Sequence, residues 1–364
     1  MPLAPLVEPV AALSPAERER TLRHATLAGF GEIGQRRLAA AHVAVIGAGG
    51  LGSPVILALA AAGVGTLTVI DDDIVEATNL HRQILHRHAD IGAAKLDSAV
   101  RAAADLSPET VVHAVPTRLT GDNAAGLLAG ADLVVDGSDT FATRTDVAAA
   151  CEALGIALVW GVLQEFHAQV TVFWSAPPAG TTPVRLRDLY PPGSIGEPPS
   201  CSAVGVLGAL CLQVGGMLAT EAIKLITGIG EPLLGRVAVI DSLRGTQREI
   251  PLAPAAITEP RLDAMTPEPT LEIPQLTAEE MLAAQAAGAT LLDVREPFET
   301  ATGIVAESVV IPLADFFADP GQVEGDQVVV ICAHGVRAQR AAEVLRARGV
   351  EASVLAGGLA AWAS

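Results

Sequence analysis

The chain has 364 residues, 50% of them hydrophobic, four cysteines and a formal net charge of -18 at pH 7. This length exceeds what one hydrophobic core usually supports, so two domains are expected, and the negative charge disfavours nonspecific binding to nucleic acid. Because no basic segment followed by an apolar core opens the chain, and few cysteines suit a reducing compartment, we expect a cytoplasmic protein with no signal peptide and no membrane association.

A glycine-rich turn follows the first strongly apolar segment. Residues 43–46 are apolar, and Gly47, Gly49, Gly50 and Gly52 then lead into an alanine-rich stretch that predicts a helix. Glycine lets the backbone approach phosphate groups closely, and the amides at a helix N-terminus attract negative charge. This unit therefore predicts a nucleotide-binding domain with a Rossmann-like, mostly parallel α/β sheet.

Polar residues after the next predicted strand, 66–70, help to define the nucleotide. Asp71 ends that strand at a spacing that suits a ribose hydroxyl, so a nicotinamide-dependent oxidoreductase is one open alternative. Two cations and two amides then follow: Asn79, Arg82, Gln83 and Lys95. Two cations suit a triphosphate, because charge develops on departing pyrophosphate and must be neutralised in place. His86 and His88, in the same stretch, are predicted to be solvent-exposed.

A further apolar strand, residues 133–135, ends in acidic residues. Asp136 and Asp139 follow it, and Arg144 lies one helical turn later. A helix cap would account for one of these acids but not easily for both. Asp139 is therefore predicted to position a magnesium ion.

The first 250 residues resemble the adenylyltransferases that activate ubiquitin-like sulfur carriers in molybdopterin and thiamine biosynthesis. The resemblance rests on the order of the motifs: Arg20-x-x-Arg23, the glycine turn, Asp71-x-Asp73, Asn79-Leu-His-Arg82-Gln83, Lys95 and Asp139. It implies that Gly50, Asp71, Asn79, Arg82, Lys95 and Asp139 bind ATP and magnesium. Thr140, where relatives often carry asparagine, is counted with them. The resemblance also implies a homodimer in which Arg23 reaches into the site of a partner subunit.

The cysteines give two further expectations. Relatives usually hold a structural zinc with two Cys-x-x-Cys pairs, which would fall near residues 181–187 and 247–256, yet neither stretch contains cysteine. We therefore expect no structural zinc. Cys201 follows a stretch rich in proline and glycine, and the resemblance implies a covalent or disulfide link to the carrier; an ordinary loop thiol is the alternative. Cys151 and Cys211 are predicted to be small core residues.

The composition of the chain changes after residue 250. Residues 251–275 include six prolines and predict a linker between a domain at 1–250 and a second α/β domain at 276–364. In the second domain, an apolar run delivers Cys332 to the loop Cys-Ala-His-Gly-Val-Arg, after which a helix is predicted. Loop amides, the helix N-terminus and Arg337 would together stabilise a sulfur anion, so Cys332 is predicted to be a reactive nucleophile.

This loop resembles the active-site loop of rhodanese-type sulfurtransferases. Asp293-Val-Arg295, and Gly357-Gly358 followed by Trp362, match other signatures of that family, whereas residues 303–307 depart from its Gly-His-Ile-Pro-Gly motif. The resemblance implies a small rhodanese domain in which Cys332 carries a persulfide. Asp293 and Arg295 are predicted to form an ion pair that orients the loop or, as the alternative, to be catalytic neighbours.

The two resemblances together predict one enzyme with two activities. It would use ATP to adenylate the C-terminal glycine of a small Gly-Gly-ending, ubiquitin-like carrier, and then transfer sulfur from Cys332 to give the carrier thiocarboxylate. The sulfur donor would be thiosulfate or a cysteine desulfurase. The alternatives are an adaptor or regulatory protein of reduced activity, an adenylyltransferase acting on another peptide or an RNA base, and a nicotinamide-dependent oxidoreductase.

Overall fold

The structure is a computed structural model that describes residues 3–191, 205–254, 273–301, 303–323 and 325–362. These residues form two compact units, one up to residue 254 and the other from residue 273. Each unit is a sheet with a hydrophobic core on both faces. The predicted α/β class, with a large mostly parallel sheet followed by a small one, is confirmed.

The sheet of the first unit has eight strands in the order β3-β2-β1-β4-β5-β6-β7-β8. The strands are β1 (His42–Ile46), β2 (Thr66–Ile70), β3 (Val111–Val115), β4 (Leu133–Asp136), β5 (Ala157–Gln164), β6 (His167–Phe173), β7 (Arg236–Asp241) and β8 (Thr246–Pro251). Neighbours from β3 through β5 are parallel, and those from β5 through β8 are antiparallel. The strand order reverses at β1 and β4, which is where open α/β sheets bind their ligands.

Helices flank this sheet because its central strands are apolar on both faces. Val43 and Val45 of β1 belong to one core, and Ala44 and Ile46 belong to the other. The helices are α1 (Pro15–Arg20), α2 (Leu22–Ala25), α3 (Gly31–Ala40), α4 (Gly52–Ala62), α5 (Lys95–Leu106), α6 (Ala124–Leu128), α7 (Phe141–Leu154), α8 (Leu186–Leu189) and α9 (Gly208–Thr227).

Helix α9 is long and apolar enough to cross a membrane when judged by length and composition alone. It packs against α3, α4, β5 and β6, and 56% of its apolar window is buried inside the unit. Its buried side chains, among them Leu210, Cys211 and Val214, belong to the main core. Its apolar character is therefore explained by packing on the sheet.

The second unit has five parallel strands in the order β11-β10-β12-β13-β9. They are β9 (Gln275–Leu276), β10 (Thr290–Asp293), β11 (Val309–Val310), β12 (Gln327–Ile331) and β13 (Glu351–Leu355), with helices α10 (Ala278–Ala286), α11 (Pro297–Thr300), α12 (Leu313–Ala318), α13 (Val336–Ala347) and α14 (Gly358–Trp362). Pro251 and Gln275, which the sequence assigned to the linker, lie in β8 and β9 because each pairs with a neighbouring strand.

The glycine turn after β1 is closed by backbone contacts that leave no room for a side chain. A Cβ atom on Gly52 would lie 1.7 Å from the Gly47 carbonyl oxygen, and one on Gly137 would lie 2.8 Å from the Ile46 oxygen. Gly47 itself has φ +83°, a conformation that favours glycine. The end of β1, the start of α4 and the end of β4 therefore meet through backbone alone.

We predict that Gly52→Ala destabilises the first unit. Alanine is the better helix former by about 1 kcal/mol, but the clash with the Gly47 oxygen should outweigh this gain and cost about 1–3 kcal/mol or more. The measurement is chemical unfolding without nucleotide. Gly49→Ala is the matched control, because its Cβ would meet only the Gln83 side chain at 3.7 Å. Equal stability of the two variants would contradict the prediction.

Candidate active sites

A cleft lies at the carboxyl ends of β1, β2 and β4, where the strand order reverses. Eight residues selected from the sequence line it: Gly47, Gly49, Gly50, Asp71, Arg82, Gln83, Lys95 and Asp139. The fold therefore brings residues 47 to 139 into one polar site.

The glycine turn presents free amides to this cleft. Among the described residues, the amides of Gly49 and Gly50 donate to no protein acceptor. The preceding Ala48 amide donates to Asp71 Oδ2 at 2.7 Å, and the Asp73 amide donates to Asp71 Oδ1 at 2.8 Å. Burial raises the pKa of Asp71, while these amides and the charge of Lys95 act in the opposite direction. Asp71 thus holds the turn in place as well as lining the cleft.

Cations line the cleft already paired with protein acceptors. Lys95, only 6% exposed, places Nζ 2.8 Å from Asp73 Oδ2. Arg82 donates from Nη1 to the Thr78 carbonyl at 2.9 Å. Arg144, 4% exposed, donates to the carbonyls of Gly161 and Ser138. An anionic ligand would compete with neutral carbonyls at two of these cations and with one exposed carboxylate at Lys95.

Two buried polar atoms in the cleft have no partner within the described parts of the chain. They are Gln83 Oε1 and Ser138 Oγ, and both residues line the cleft. A buried polar group without a hydrogen bond costs free energy comparable to a lost bond, so such groups usually mark a ligand or water. The cleft is therefore suited to a ligand that carries both hydroxyl groups and negative charge.

The two acids after β4 do different things. Asp136 is fully buried and accepts from the Ser138 amide at 2.9 Å, and burial raises its pKa against the effect of Arg144. Asp139 is exposed, and it lines both the main cleft and the adjoining one that holds Thr140. Thr140, not an acid, caps α7 by accepting from the Thr143 amide. The expectation that a cap accounts for one acid was therefore wrong.

Other residues selected from the sequence lie outside the main cleft. Gly52 packs against the Gly47 carbonyl and does not line the cleft. The Asn79 side-chain oxygen accepts a hydrogen bond from the Glu76 amide at 3.0 Å. Arg23 is exposed on α2 and lines no part of the cleft of its own chain, whereas Arg20 binds Glu17 and the Ala61 carbonyl. Cys201 lies outside the described residues.

Several residues of the cleft were not selected as site residues from the sequence. Asp73, Ser138, Arg144 and Cys211 all line it. Asp73 belongs to the Asp71-x-Asp73 motif and Arg144 was noted after the third strand, but neither was assigned a role in the site, and Ser138 has only a weak sequence signal. His86 was predicted to be exposed, and this was wrong: it is 7% exposed and bonds to the Ala48 carbonyl. Cys151 is buried as predicted, and burial raises its pKa to about 12.

The two stretches where relatives would carry zinc-binding cysteines do meet. Thr181 and Thr182 share a cavity with Leu252, Ala253 and Pro254. These side chains supply no thiolate or imidazole, and the described ranges contain no group of three or more His, Cys, Asp or Glu that could hold a metal. The absence of structural zinc stays a prediction.

The second unit holds Cys332 in a cradle of amides. Strand β12 ends at Ile331, and the Cys332 sulfur accepts from the amides of Gly335 at 3.1 Å and Ala338 at 3.4 Å. Gly335, with φ +85°, is the N-cap that precedes α13. Cys332 is 1% exposed. The loop and helix amides thus converge on the sulfur as the sequence predicted, while the reactivity of Cys332 stays a prediction.

The glycines near the C-terminus fit against this loop. Gly357 and Gly358 have φ +67° and +69°, and a Cβ on Gly358 would lie 2.5 Å from the Ala333 carbonyl oxygen. The amide of Leu359 then donates to the Cys332 carbonyl at 2.9 Å. The Gly357-Gly358 motif therefore fixes the back of the loop, so that its amides face the sulfur.

Arg337 lies beside the cysteine but is paired with an acid that the sequence did not indicate. Its Nη1 and Nη2 atoms each lie 2.6 Å from one oxygen of Glu299 on α11. The Arg337 hydrogen bonds hold the pKa of Glu299 below its usual range, and Glu299 raises the pKa of Arg337. The positive charge predicted to act on Cys332 is thus largely compensated.

Asp293 and Arg295 form the predicted ion pair. Arg295 Nη2 lies 2.7 Å from Asp293 Oδ2, and both side chains are buried. The same Nη2 donates to the Gly303 carbonyl at 2.8 Å. The pair therefore ties the end of β10 to the stretch that lacks the usual rhodanese motif, and within that stretch Glu307 has φ +61°. Its position supports an orienting role.

Comparison with known proteins assigns both units. Residues 21–259 match the model of the ThiF family, and residues 277–364 match that of the rhodanese-like domain. The chain belongs to the ThiF family. It is 40% identical to the probable adenylyltransferase/sulfurtransferase MoeZ of Mycobacterium tuberculosis, over 99% of this chain and 96% of that protein. It is also 42% identical to the sulfur carrier protein adenylyltransferase of Thermus thermophilus, over 70% of this chain and 93% of that protein.

A solved structure agrees with the ThiF-family fold. E. coli MccB, determined with ATP, superposes with a TM-score of 0.56 at 21% identity, covering 66% of this chain and 73% of that one. At this identity the likeness supports the fold alone. The predicted membership of both families is confirmed.

We predict that Glu299→Gln increases the reactivity of Cys332. Removing the acid leaves the charge of Arg337 uncompensated, which favours the thiolate, so alkylation at pH 7 should become roughly three- to tenfold faster. The measurement is the rate of iodoacetamide labelling at Cys332, followed by peptide mass mapping. Glu343→Gln, on the exposed face of α13, is the control for loss of one negative charge. An unchanged or slower rate in Glu299→Gln would refute the compensation.

Proposed function

We propose that this protein uses ATP to adenylate the C-terminal glycine of a small ubiquitin-like sulfur carrier, and then converts the carrier to a thiocarboxylate with sulfur from Cys332. The observation that carries the proposal is the presence, on one chain, of a ThiF-family cleft with three cations and of a cysteine cradled by loop amides. We also propose that the protein works in a reducing cytoplasm.

The cleft suits the first step. The carrier carboxylate attacks the α-phosphorus of ATP, the bond to the pyrophosphate oxygen breaks, and the carrier acyl-adenylate and pyrophosphate result. The free amides of Gly49 and Gly50 would bind phosphate oxygens, and Arg82 and Lys95 would stabilise the charge that develops on them. Gln83 Oε1, a buried acceptor that has no partner among the described residues, would receive a hydrogen bond from a hydroxyl or a water.

The residues at the rim also fit magnesium. Asp139 is exposed, makes no ion pair among the described residues and lies at the junction of the two clefts. Magnesium is usually held by one or two carboxylates together with phosphates and water. We propose that Asp139 holds it, where the ion would neutralise phosphate charge.

The second step uses Cys332. The outer sulfur of a Cys332 persulfide attacks the carrier carbonyl, AMP departs, and an acyl disulfide joins the carrier to Cys332. A second thiolate then attacks the Cys332 sulfur, so that the carrier leaves as a thiocarboxylate and a new disulfide forms. We propose Cys201 for that thiolate. Thiosulfate or a cysteine desulfurase would load the persulfide. Because both activities are on one covalent chain, the adenylate meets the sulfur at a high effective concentration.

The test follows both steps with a Gly-Gly-ending carrier. ATP–pyrophosphate exchange should appear in the wild type and in Cys332→Ala, because adenylation does not need that sulfur. After thiosulfate is added, intact mass should show replacement of a carrier oxygen by sulfur in the wild type and not in Cys332→Ala. Cys151→Ala removes a buried cysteine that does not line the nucleotide cleft, and this variant should behave as the wild type. Absence of exchange with any Gly-Gly carrier would instead favour an adaptor role.

We further propose a homodimer in which Arg23 completes the partner's cleft. Arg23→Ala and Lys95→Ala should each reduce exchange by about 10²- to 10³-fold. An equimolar mixture that exchanges subunits should recover roughly a quarter of wild-type activity, because each mixed dimer contains one intact site. The mixture is measured by the same exchange assay, beside sedimentation of each variant. No recovery in mixtures shown to exchange subunits would place Arg23 outside the partner's site.

A further inference from the structure

We infer that His86 is a positioning residue of the nucleotide cleft. Its hydrogen bond to the Ala48 carbonyl orients the adjoining Gly49 amide toward the phosphates of the nucleotide. This inference rests on the proposed binding of ATP. His86 itself does not line the cleft, and it adds to the residues that the ThiF-family resemblance implied.

The geometry of one peptide carries the inference. His86 Nε2 lies 3.0 Å from the Ala48 carbonyl oxygen, and the peptide that contains this oxygen also contains the Gly49 amide. No described peptide bond is cis, so the carbonyl and the amide of this unit point in opposite directions. When the carbonyl is held toward His86, the Gly49 amide must point away from it. That amide has no protein acceptor within the described residues, and Gly49 lines the cleft.

The neighbouring groups fix the same peptide from other sides. The Ala48 amide donates to Asp71 at 2.7 Å, and Ser53 Oγ lies 3.1 Å from the Ala48 oxygen. Ser53 and Asp71 belong to α4 and to the end of β2, whereas His86 comes from the segment before α5. Three separate parts of the fold thus converge on a residue that is itself fully buried. His86 is the one of them that can change its charge near neutral pH.

The ring of His86 is suited to one protonation state. Donation to a carbonyl requires hydrogen on Nε2, and Nδ1 is buried without a partner among the described residues. Protonation would add a buried N–H with no acceptor. Burial lowers the pKa of His86, and the charges of Lys95 and Arg101 on α5 act in the same direction, against Asp90 and the Ala48 carbonyl bond. The neutral ring is therefore the form that fits the cleft.

The direction of the pH effect follows from this shift. Because the pKa of His86 is lower in the fold than in the unfolded chain, its neutral form supports the turn above about pH 6.5. As the pH falls through the lowered pKa, the charged ring is disfavoured in place, and the hold on the Ala48 carbonyl is lost. ATP affinity should therefore fall on the acid side.

The test compares direct ATP binding, measured by calorimetry between pH 5 and 8, across three variants. His86→Gln keeps an N–H donor but cannot titrate, and His86→Leu removes the donor at similar volume. At pH 7.5, His86→Leu should bind ATP roughly tenfold more weakly, and His86→Gln should stay within about threefold of the wild type. The wild type should lose affinity on the acid side, and His86→Gln should not show this decline. His88→Gln, an exposed histidine two residues away, should keep the wild-type profile.

The outcomes separate the two proposals. No ATP binding by the wild type would sink the proposed function and this inference with it. Wild-type affinity in His86→Leu, or an unchanged acid decline in His86→Gln, would overturn the inference alone. If His86→Leu unfolds, the pH dependence of ATP affinity in His86→Gln, compared with that of the wild type, still tests the inference. In exchange assays, His86→Leu should raise KM for ATP more than it lowers kcat, as expected for lost binding geometry.

Discussion

The first unit depends on a backbone crossing at the end of β1. There the Gly47 carbonyl, the start of α4 and Gly137 after β4 approach so closely that no Cβ fits between them. This contact brings the two central strands and the helix N-terminus to one point, and the point coincides with the reversal of strand order. The amides of the turn, the acid after β2 and the cations of the α5 region can meet only because this crossing is tight.

Each site keeps one cation in an ion pair with an acidic side chain. Lys95 is held by the largely exposed Asp73, and Arg337 is held by the partly buried Glu299. A protein with a net charge of -18 must concentrate local positive charge if it is to bind a nucleotide. Pairing spares the buried Lys95 and the partly buried Arg337 the free-energy cost of an unpaired charge. Displacing Asp73 from Lys95 costs less free energy than displacing Glu299 from Arg337, because water can solvate the exposed Asp73 carboxylate.

Much of the fold was predictable from the sequence. The apolar strands at 43–46 and 133–135, the glycine turn and the helix after Cys332 all rest on local patterns, and the structure has each of them. The candidate cleft was also largely foreseen, since its glycines and charged residues stand in compact motifs. His86 was missed because a histidine in a polar stretch gives no local sign of burial. Glu299 was missed because nothing near it in the chain points to Arg337.

The sequence alone determined the α/β class, the glycine turn and the position of Cys332 at the end of a strand, because each follows from residues within a few positions of one another. Only the tertiary structure decided which groups pair. His86 and Ala48 are 38 positions apart, Lys95 and Asp73 are 22 apart, and Arg337 and Glu299 are 38 apart. Such contacts arise from how strands and helices pack, so no periodicity or spacing encodes them. They set the orientation of the amides and the charge that each site presents.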